Sequence, residues 1–351
     1  MAGKIALVTG AAGSIGSEIV RQLIRFQPQI VLLLDQSESG LYDLDNELKQ
    51  QFRRYLNDTT KVVVQVADVT DEIRMRQIFG QFRPDFVFHA AAYKHVPLME
   101  EHPYEAIKIN IFGSKIIADL AVEMNVQKFV MISTDKAVNP TNVMGATKRL
   151  AEMYVQSLNN RFPNSTRFIT TRFGNVLGSN GSVVPLFQKQ IQTGGPITVT
   201  HPDVIRYFMT IPEACQLVLE AGSMGKGGEI FVFDMGDPIK IADLAQKMIK
   251  LSGLRVEKDI QIVYSGLRPG EKLFEELLSD KEHTLSTYHP KIQIAQVNSQ
   301  SFGEITTALQ DLKKALREGH KALMVTYLKT MVPEFISNNS IYEELDGLEL
   351  S

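Results

Sequence analysis

Short apolar runs alternate with amphipathic stretches through the first half of the chain. The strand-like runs are Ile5–Val8, Ile30–Leu34, Val62–Val66, Phe86–His89, Phe129–Ile132 and Phe168–Thr171. The helix-like stretches between them are Ser17–Phe26, Gly40–Tyr55, Ile73–Phe82, Pro103–Met124 and Thr147–Arg161. Because apolar runs without alternation are typical of strands buried on both faces, the pattern predicts a parallel sheet with helices on both sides. Right-handed crossovers make this an α/β fold with a doubly wound, Rossmann-type sheet.

The alternation becomes less regular after about residue 175, where Gly, Pro and Ser are frequent. Beyond that point the pattern predicts helices at Pro212–Ala221 and Ile241–Leu251 and strands at Ile230–Phe233 and Ile260–Val263. We therefore predict a Rossmann domain over residues 1–175 and a smaller C-terminal α/β lobe over 176–337 that is partly interleaved with the sheet. The polar tail at 338–351 is expected to be frayed.

Composition narrows the class of protein. The 351 residues are 44% hydrophobic and 22% charged, with a formal net charge of -3, which is ordinary for a globular protein and argues against nucleic-acid binding through a basic face. The one cysteine, Cys215, excludes an internal disulfide and is expected to be a buried thiol. The histidines do not fall at metal-ligand spacing, so no metal site is predicted.

We find neither a signal peptide nor an apolar stretch near the roughly 20 residues of a membrane span, and therefore expect a cytoplasmic chain without membrane insertion.

A glycine-rich loop, Gly10-Ala-Ala-Gly13-Ser-Ile-Gly16, joins the first predicted strand to the first helix. In this context Gly10 permits a tight turn, Gly13 lets the backbone approach a pyrophosphate, and Gly16 allows close packing of the helix. Backbone N–H groups at the start of the helix then meet the diphosphate. The loop therefore predicts a dinucleotide site formed by Gly10, Ala12, Gly13, Ser14, Ile15 and Gly16.

Acidic residues follow the second and third strands. Asp35 is placed to accept hydrogen bonds from the adenosine ribose hydroxyls, although it could instead cap a helix. A 2′-phosphate near it would meet repulsion of about 4 kcal/mol per charge pair at 4 Å, so NAD is favoured over NADP. Asp68, with Val69 beside it, could bind the adenine or could serve as a helix cap.

The glycine spacing resembles that of the extended short-chain dehydrogenase/reductase superfamily. This resemblance implies that the small side chains of Ala90, Ala91 and Ala92 line the nicotinamide ribose. Asn110–Gly113 also fits the superfamily pattern.

The segment Ser133–Lys148 carries the candidate chemistry. In this superfamily the position four before the helix lysine is normally a tyrosine that relays a proton, but here Lys148 is preceded by Met144. Methionine cannot exchange a proton, so a non-catalytic protein is one interpretation. Against it, Asp135 and Lys136 are adjacent ionisable residues at the end of a parallel strand, where active sites of this fold form. They suit paired acid and base work, although an exposed ion pair or a helix cap would also use them.

Five blocks together resemble the UDP-N-acetylglucosamine 4,6-dehydratases of polysaccharide and glycan biosynthesis. The resemblance covers about residues 3–300, and the blocks are Gly10–Gly16, His89–Pro97, Ser133–Lys148, Arg172–Gly178 and Leu267–Lys272. That family has one branch with Tyr and one with Met in the helix, and Met144 implies the second, which retains configuration at carbon 5 of the sugar.

The resemblance has two implications for the whole protein. Long members of the Met branch carry an N-terminal membrane-anchored region, and this chain looks like their soluble catalytic part. The family also implies a homodimer or larger homo-oligomer, which would form through the helices Pro103–Met124 and Thr147–Arg161.

The implied reaction removes water without net oxidation. Hydride leaves carbon 4 for NAD, the resulting ketone acidifies carbon 5, the carbon 6 hydroxyl departs, and the hydride returns to carbon 6. We hypothesise that Lys136, with a lowered pKa, is the base at carbon 5 and that a protonated Asp135, favoured by burial, is the acid for the carbon 6 hydroxyl. Lys148 and Thr134 would hold the water that accepts the carbon 4 hydroxyl proton.

Later residues are candidates for binding the UDP-sugar. Arg206 and Arg268, with Asn175, are expected to contact the diphosphate, since guanidinium groups suit its oxygens. Glu271 would bind the uridine ribose and Lys94 the sugar, although surface charge also explains such residues. Val183 and Pro185 would border the uracil or simply pack in the interior.

Two other functions stay open. A 4-epimerase or 4-reductase would need hydride transfer at carbon 4 but no acid/base pair for carbons 5 and 6. A non-catalytic, NAD-sensing regulator would explain Met144. Incubation with UDP-N-acetylglucosamine and mass spectrometry separates them, because only a dehydratase removes water.

Overall fold

The computed structural model describes residues 1–56, 60–163, 165–278, 283–297 and 300–347. Its strands are β1 (Ile5–Thr9), β2 (Ile30–Asp35), β3 (Lys61–Val66), β4 (Phe86–His89), β5 (Lys128–Ile132), β6 (Arg167–Arg172), β7 (Asn175–Leu177), β8 (Ile197–Val199), β9 (Ile205–Arg206), β10 (Phe208–Thr210), β11 (Ile230–Phe233), β12 (Ile239–Lys240), β13 (Ile262–Tyr264), β14 (His283–Ser286) and β15 (Ile292–Gln296). Its α-helices are α1 (Ser14–Ile24), α2 (Glu38–Gln51), α3 (Glu72–Phe82), α4 (Val96–Glu101), α5 (Pro103–Ala106), α6 (Ser114–Glu123), α7 (Val143–Arg161), α8 (Val183–Gln192), α9 (Ile211–Met224), α10 (Ile241–Leu251), α11 (Phe302–Glu318) and α12 (Lys321–Met331).

Within the described residues a nine-stranded sheet forms the centre, in the order β14-β15-β11-β6-β5-β4-β1-β2-β3. The strands from β3 to β11 are parallel, whereas β15 and β14 add an antiparallel edge. The predicted parallel Rossmann sheet is confirmed, and each strand predicted in the first half is present with its bounds shifted by at most one residue.

Both faces of the sheet are covered. Leu7 and Leu32 pack into one core with α3, α6 and α7, while Val8 and Leu33 pack into the opposite core with α1 and α9. Since successive side chains of a strand point to opposite faces, two covered faces require apolar residues at every position. This explains the apolar runs without alternation.

The predicted helix Pro103–Met124 is one continuous helical run with an irregularity. A π-helical stretch, Ile107–Gly113, joins α5 to α6. Asn110 in this stretch is fully buried, and its side chain bonds Tyr93 and Thr147. The irregular stretch therefore positions an amide that ties the loop after β4 to α7.

Residues after 176 contribute both to a small core of their own and to the central sheet, in keeping with the partly interleaved lobe that the sequence predicts. A small core of its own unites α8, β8, α10 and residues before β13, including Phe187, Ile197 and Ile249. By contrast, β11 pairs in parallel with β6 in the central sheet, and α9 packs on α1. Cys215 on α9 is fully buried, as expected, and burial raises the pKa of its thiol.

The C-terminal helices α11 and α12, which the sequence pattern did not reveal, cover α7. From Val143 to Leu158 every residue of α7 except Arg149 is buried within this single chain. The expectation that α7 offers its outer face to a second copy is therefore wrong, because the chain's own helices occupy that face. Self-association through the helix Pro103–Met124 stays a prediction.

The tail is folded as far as Gly347. Ser340 caps a 3-10 turn, Ile341–Leu345, and the buried Tyr342 donates a hydrogen bond to the carbonyl of Glu100 at 3.1 Å. The expectation of a frayed tail is wrong over residues 338–347, and 348–351 lie outside the described residues. Within the described ranges, no helix is both long enough and apolar enough to cross a membrane.

Candidate active site

The glycine loop is held tightly against the neighbouring strand ends. Gly10 has φ +66°, and a Cβ there would lie 2.6 Å from the backbone nitrogen of Ala91. A Cβ on Gly16 would lie 2.1 Å from the carbonyl oxygen of Gly10. No side chain caps α1 at Gly13, which leaves the first N–H groups of the helix for an anion. This cradle fits a dinucleotide pyrophosphate.

The adenosine end of the predicted site is a narrow cleft. It is lined by Gly10, Gly13, Leu34, Asp35, Gln36, Ala67, Asp68, Val69, Ala90, Ala91, Ala92, Tyr93 and Ile109. Asp35 accepts hydrogen bonds from the backbone N–H groups of Ala12 at 3.0 Å and Ser37 at 2.9 Å. Ser37 and Asp71, and not Asp35 and Asp68, cap the next helices, so the capping alternative is wrong for both acids. Their contacts with ribose and adenine stay predictions.

A larger cleft of about 500 Å³ continues from the glycine loop. The ends of β1, β4, β5 and β6 meet there because parallel strands share one carboxyl edge. Its lining includes the predicted residues Ser14, Ile15, Gly16, Ala90, Ala92, Lys94, Thr134, Lys136, Met144, Lys148 and Asn175. The structure thus brings most of the predicted cofactor and catalytic residues to one cleft.

Lys148 lies at the floor of this cleft. Its Nζ donates to the carbonyl oxygen of Ile132 at 2.7 Å. Burial lowers the pKa of Lys148 to about 8, and the charge of Glu152 opposes that shift. Glu152 itself is fully buried and forms a two-point ion pair with Arg172, at 2.9 and 2.7 Å.

Helix α7 begins against the turn Asp135–Ala137, the predicted catalytic turn. Asn142 accepts from the N–H of Gly145 at 2.8 Å, and Glu100 accepts from the N–H of Val143 at 2.6 Å. A Cβ on Gly145 would lie 2.2 Å from the carbonyl oxygen of Lys136. A residue larger than glycine would therefore separate the turn from the helix that carries Met144.

Asp135 is fully buried beneath the cleft. Its Oδ1 accepts hydrogen bonds from the Thr134 hydroxyl at 2.8 Å and from Lys136 Nζ at 3.0 Å. Its Oδ2 is buried without a hydrogen-bond partner in the described part of the chain, and a Cβ on Gly174 would approach it to 2.9 Å. A buried carboxyl oxygen without a partner is costly unless a ligand or a proton satisfies it.

Lys136 lies between two carboxylates. Besides Asp135, Glu275 Oε1 is 3.4 Å from its Nζ. Burial disfavours the ammonium form, but attraction to Asp135 and Glu275 outweighs it, and the pKa of Lys136 is raised above its usual value. The expectation of a lowered pKa is therefore wrong for the protein alone. Lys136 carries its proton in this arrangement.

The predicted substrate residues are dispersed. Arg206 donates to Glu271 Oε1 at 3.1 Å, and neither residue is among those that line the cleft. Arg268 is exposed, and Val183 begins α8. The contacts of Arg206 with the diphosphate and of Glu271 with the uridine ribose stay predictions.

Sequence reasoning missed several residues of the site. The backbone N–H of Asn180 donates to the Ser14 hydroxyl at 3.2 Å, which places the loop Ser179–Ser182 over the glycine loop. Lys94 Nζ donates to Ser179 at 3.4 Å. Glu275 was missed as well. The clustering of Gly and Ser after β7 could have suggested the loop, but no local pattern distinguishes Glu275 from its neighbour Glu276.

Comparison with known proteins identifies the family. A family profile described as "Polysaccharide biosynthesis protein" matches residues 6–297. The chain belongs to this family. It is 53% identical over 309 residues to the capsular polysaccharide biosynthesis protein CapD of Staphylococcus aureus, covering 88% of this chain and 51% of that protein. It is 51% identical to the probable polysaccharide biosynthesis protein EpsC of Bacillus subtilis, covering 84% of this chain and 48% of that protein. The chain thus spans about half the length of these curated relatives.

Solved structures agree on the fold. The X-ray structure of Pen from Bacillus thuringiensis has a TM-score of 0.74 at 33% identity, covering 88% of this chain and 97% of that one. The resemblance to extended short-chain dehydrogenases of polysaccharide biosynthesis is therefore confirmed.

More distant members of the family carry the names of both candidate reactions. A UDP-glucose 4-epimerase of Rickettsia canadensis is 35% identical over 80% of this chain and 79% of that protein. A UDP-N-acetylglucosamine 4,6-dehydratase (inverting) of Campylobacter jejuni is 33% identical over 81% of this chain and 80% of that protein. The family therefore includes nucleotide-sugar epimerases and dehydratases. The choice between these two reactions for this chain has to rest on the residues of its site.

Proposed function

We propose that the chain catalyses the NAD-dependent 4,6-dehydration of UDP-N-acetylglucosamine to the UDP-linked 4-keto-6-deoxy sugar, with retention at carbon 5. The observation that carries this proposal is the ion pair between the buried Asp135 and Lys136, which lines the cleft. An elimination across carbons 5 and 6 needs an acid and a base at those carbons, whereas an epimerisation at carbon 4 needs no such pair there.

The cofactor would be held by the glycine loop, with Asp35 on the adenosine ribose. When bound, NAD supplies the acceptor that takes hydride from carbon 4 and returns it to carbon 6. Gly10 and Gly16 leave the space that a Cβ would fill, and the uncapped start of α1 suits a diphosphate. The loop Ser179–Ser182, which covers the glycine loop, would help to exclude water.

The ion pair can supply both catalytic forms by one proton transfer. Lys136 Nζ and Asp135 Oδ1 are 3.0 Å apart and hydrogen-bonded. Transfer of one proton from Nζ to Oδ1 gives a neutral amine and a carboxylic acid. The amine then takes the proton from carbon 5, and the acid protonates the carbon 6 hydroxyl as it leaves as water. The pair returns to ammonium and carboxylate.

The remaining protons balance on the same residues. Lys136, as ammonium, returns its proton to carbon 5, and a single base that works from one face retains configuration there. Asp135 has given one proton to the departing water, so Lys136 is left as a neutral amine. The proton from the carbon 4 hydroxyl must then reach Lys136 to restore the ion pair, and the overall reaction balances. A water held by Lys148, whose pKa is about 8, and by the Thr134 hydroxyl would accept the carbon 4 hydroxyl proton in place of the absent tyrosine.

One incubation tests the reaction. The protein with NAD is incubated with UDP-N-acetylglucosamine and the product is weighed by mass spectrometry. Loss of one water is expected, whereas an isomer of unchanged mass would favour a 4-epimerase, as in the relatives of that name. Unchanged substrate with NAD bound would overturn both. The same reaction in deuterated water, followed by NMR at carbon 5, tests retention.

Two variants test the residue roles. Asp135→Asn and Lys136→Ala each remove one member of the acid–base pair, and each should lower turnover by at least about a hundredfold. Turnover within about tenfold of the parent for both variants would contradict the assignment. NAD binding should be retained, because neither residue belongs to the glycine cradle.

A further inference from the structure

Glu275 is a buried carboxylate that follows the block Leu267–Lys272. Its Oε1 is 3.4 Å from Lys136 Nζ and 3.7 Å from Arg206 Nε. Its Oε2 is buried without a hydrogen-bond partner in the ranges that the structure describes. The next residue, Glu276, is exposed and pairs with Lys272 at 2.8 Å. Of two consecutive glutamates, the fold turns one toward the catalytic lysine and the other toward solvent.

The backbone that carries Glu275 contacts the residues that directly follow the catalytic turn. Gly270 packs so closely on Asn142 that an added Cβ would lie 2.4 Å from the Asn142 side chain. Lys272 Nζ donates to the carbonyl oxygen of Val138 at 3.0 Å, and Phe274 pairs with Ile205. Because both sides of the segment are anchored, the approach of Glu275 to Lys136 follows from the packing and not from a loose side chain.

We propose that Glu275 is a positioning residue of the dehydration, which holds Lys136 against Asp135 and controls how readily Lys136 releases its proton. The inference rests on the proposed function. Among the described residues, the charged groups that face Lys136 are Asp135, Glu275 and Arg206. Asp135 is the proton partner, so Glu275 is the carboxylate whose charge stabilises the ammonium without taking part in the transfer. Arg206, on the far side of Glu275, moderates that charge.

Glu275→Gln tests this by removing the charge while keeping the shape. The matched control is Glu276→Gln, which changes the exposed neighbour. In each NAD-loaded protein, Lys136 is trace-labelled with acetic anhydride across a pH series and quantified by peptide mass spectrometry. The labelling midpoint of Lys136 should move to lower pH by about one unit in Glu275→Gln and stay at the parent value in Glu276→Gln. An unchanged midpoint in Glu275→Gln would overturn the proposal.

Activity provides a second measurement. The alkaline limb of the pH profile of kcat/KM, where the Asp135–Lys136 pair loses the proton that it shares, should shift to lower pH in Glu275→Gln, which a purely structural role would not cause. If Glu275→Gln does not fold, Glu275→Asp replaces it. Withdrawal of the carboxylate by one methylene should lower the midpoint by a smaller amount, and no shift overturns the proposal. If the parent yields no dehydrated product, the proposed reaction fails, while the labelling midpoints still decide the role of Glu275.

Discussion

At the residue scale, the environment of Lys148 determines whether its amine can accept a proton at a site where Met144 replaces the usual tyrosine. Its Nζ donates to a backbone carbonyl, and burial lowers its pKa to about 8. Neutral amine therefore accumulates as the pH rises through about 8, and this form can accept a proton through a water. Between about pH 8 and the usual lysine pKa of 10.5 the unfolded chain binds more protons here than the folded one, so this group makes stability rise with pH.

Lys148→Met should lower turnover by about a hundredfold and remove the rise of activity through about pH 8. The reason is that methionine can neither accept a proton nor hold a water by charge. Turnover is measured over a pH series, with the exposed Lys49→Met as control. A parent-like pH profile in Lys148→Met would exclude this lysine from the carbon 4 step.

Burial of His89 should make the folded protein less stable as the pH falls. Its ring nitrogens are 2.8 Å from the Thr9 hydroxyl and 2.9 Å from the Ser114 hydroxyl, and the residue is fully buried. Burial, and then the charge of Lys148, lower the pKa of His89 from 6.5 to about 3. Between these values the unfolded chain takes up a proton that the folded chain does not, so stability is lost as the pH falls.

The free energy of unfolding should therefore decrease from pH 6.5 toward pH 3, and His89→Gln should reduce this dependence. Glutamine keeps hydrogen-bonding capacity but does not titrate. Urea unfolding at several pH values measures the slope, and the exposed His320→Gln serves as control. Equal slopes in the parent and His89→Gln would show that other groups cause the acid sensitivity.

At the scale of elements, the catalytic turn depends on the start of α7. The turn Asp135–Ala137 follows β5, and the carbonyl of Lys136 touches the backbone of Gly145 in the first turn of the helix. Two elements are thus in contact at the point where the proposed acid and base are held. Their spacing sets the direction of Lys136.

Gly145→Ala should lower turnover by about a hundredfold while NAD binding stays near the parent value, because a displacement of about 1 Å at a catalytic group has that effect. The added Cβ would lie 2.2 Å from the Lys136 carbonyl oxygen. Gly80→Ala in α3, where no atom lies within 4 Å of the added Cβ, is the matched control. Turnover and NAD titration are measured on both. Parent-like turnover in Gly145→Ala would mean that the turn can shift harmlessly.

At the scale of the whole molecule, the chain end joins two loops of the site. Ile336 and Asn338 donate backbone hydrogen bonds to the carbonyls of Pro140 and Thr141, each at 3.2 Å. The carbonyl of Asn338 in turn accepts from the N–H of Gly270 at 2.7 Å. The C-terminal segment therefore holds the catalytic turn and the segment that leads to Glu275 in one arrangement.

A chain that stops after Ser337 should lose about 2 kcal/mol or more of unfolding free energy, since several hydrogen bonds and the buried Tyr342 are removed. Turnover should fall as well, because Gly270 loses its contact with Asn338. Chemical denaturation and turnover are compared with those of a chain that stops after Gly347. Identical values for the two truncations would contradict a role for this segment.

The sequence by itself determined the parallel sheet, the glycine cradle and the Asp135–Lys136 pair. Each depends on local information: the periodicity of apolar residues reports two covered faces, and short motifs report backbone turns and neighbouring side chains. The segment Ser133–Lys148 alone also shows that Met144 stands where the superfamily normally has a tyrosine.

Only the tertiary structure decided that α11 and α12 cover α7, that the tail is folded, and that Lys136 keeps its proton between two carboxylates. The reason is physical. Burial and ion pairing depend on which distant segments meet. Glu275 is far from Lys136 along the chain, but its Oε1 lies 3.4 Å from Lys136 Nζ in the folded protein. A protonation state is set by all the charges around a group, and sequence spacing holds no measure of those distances.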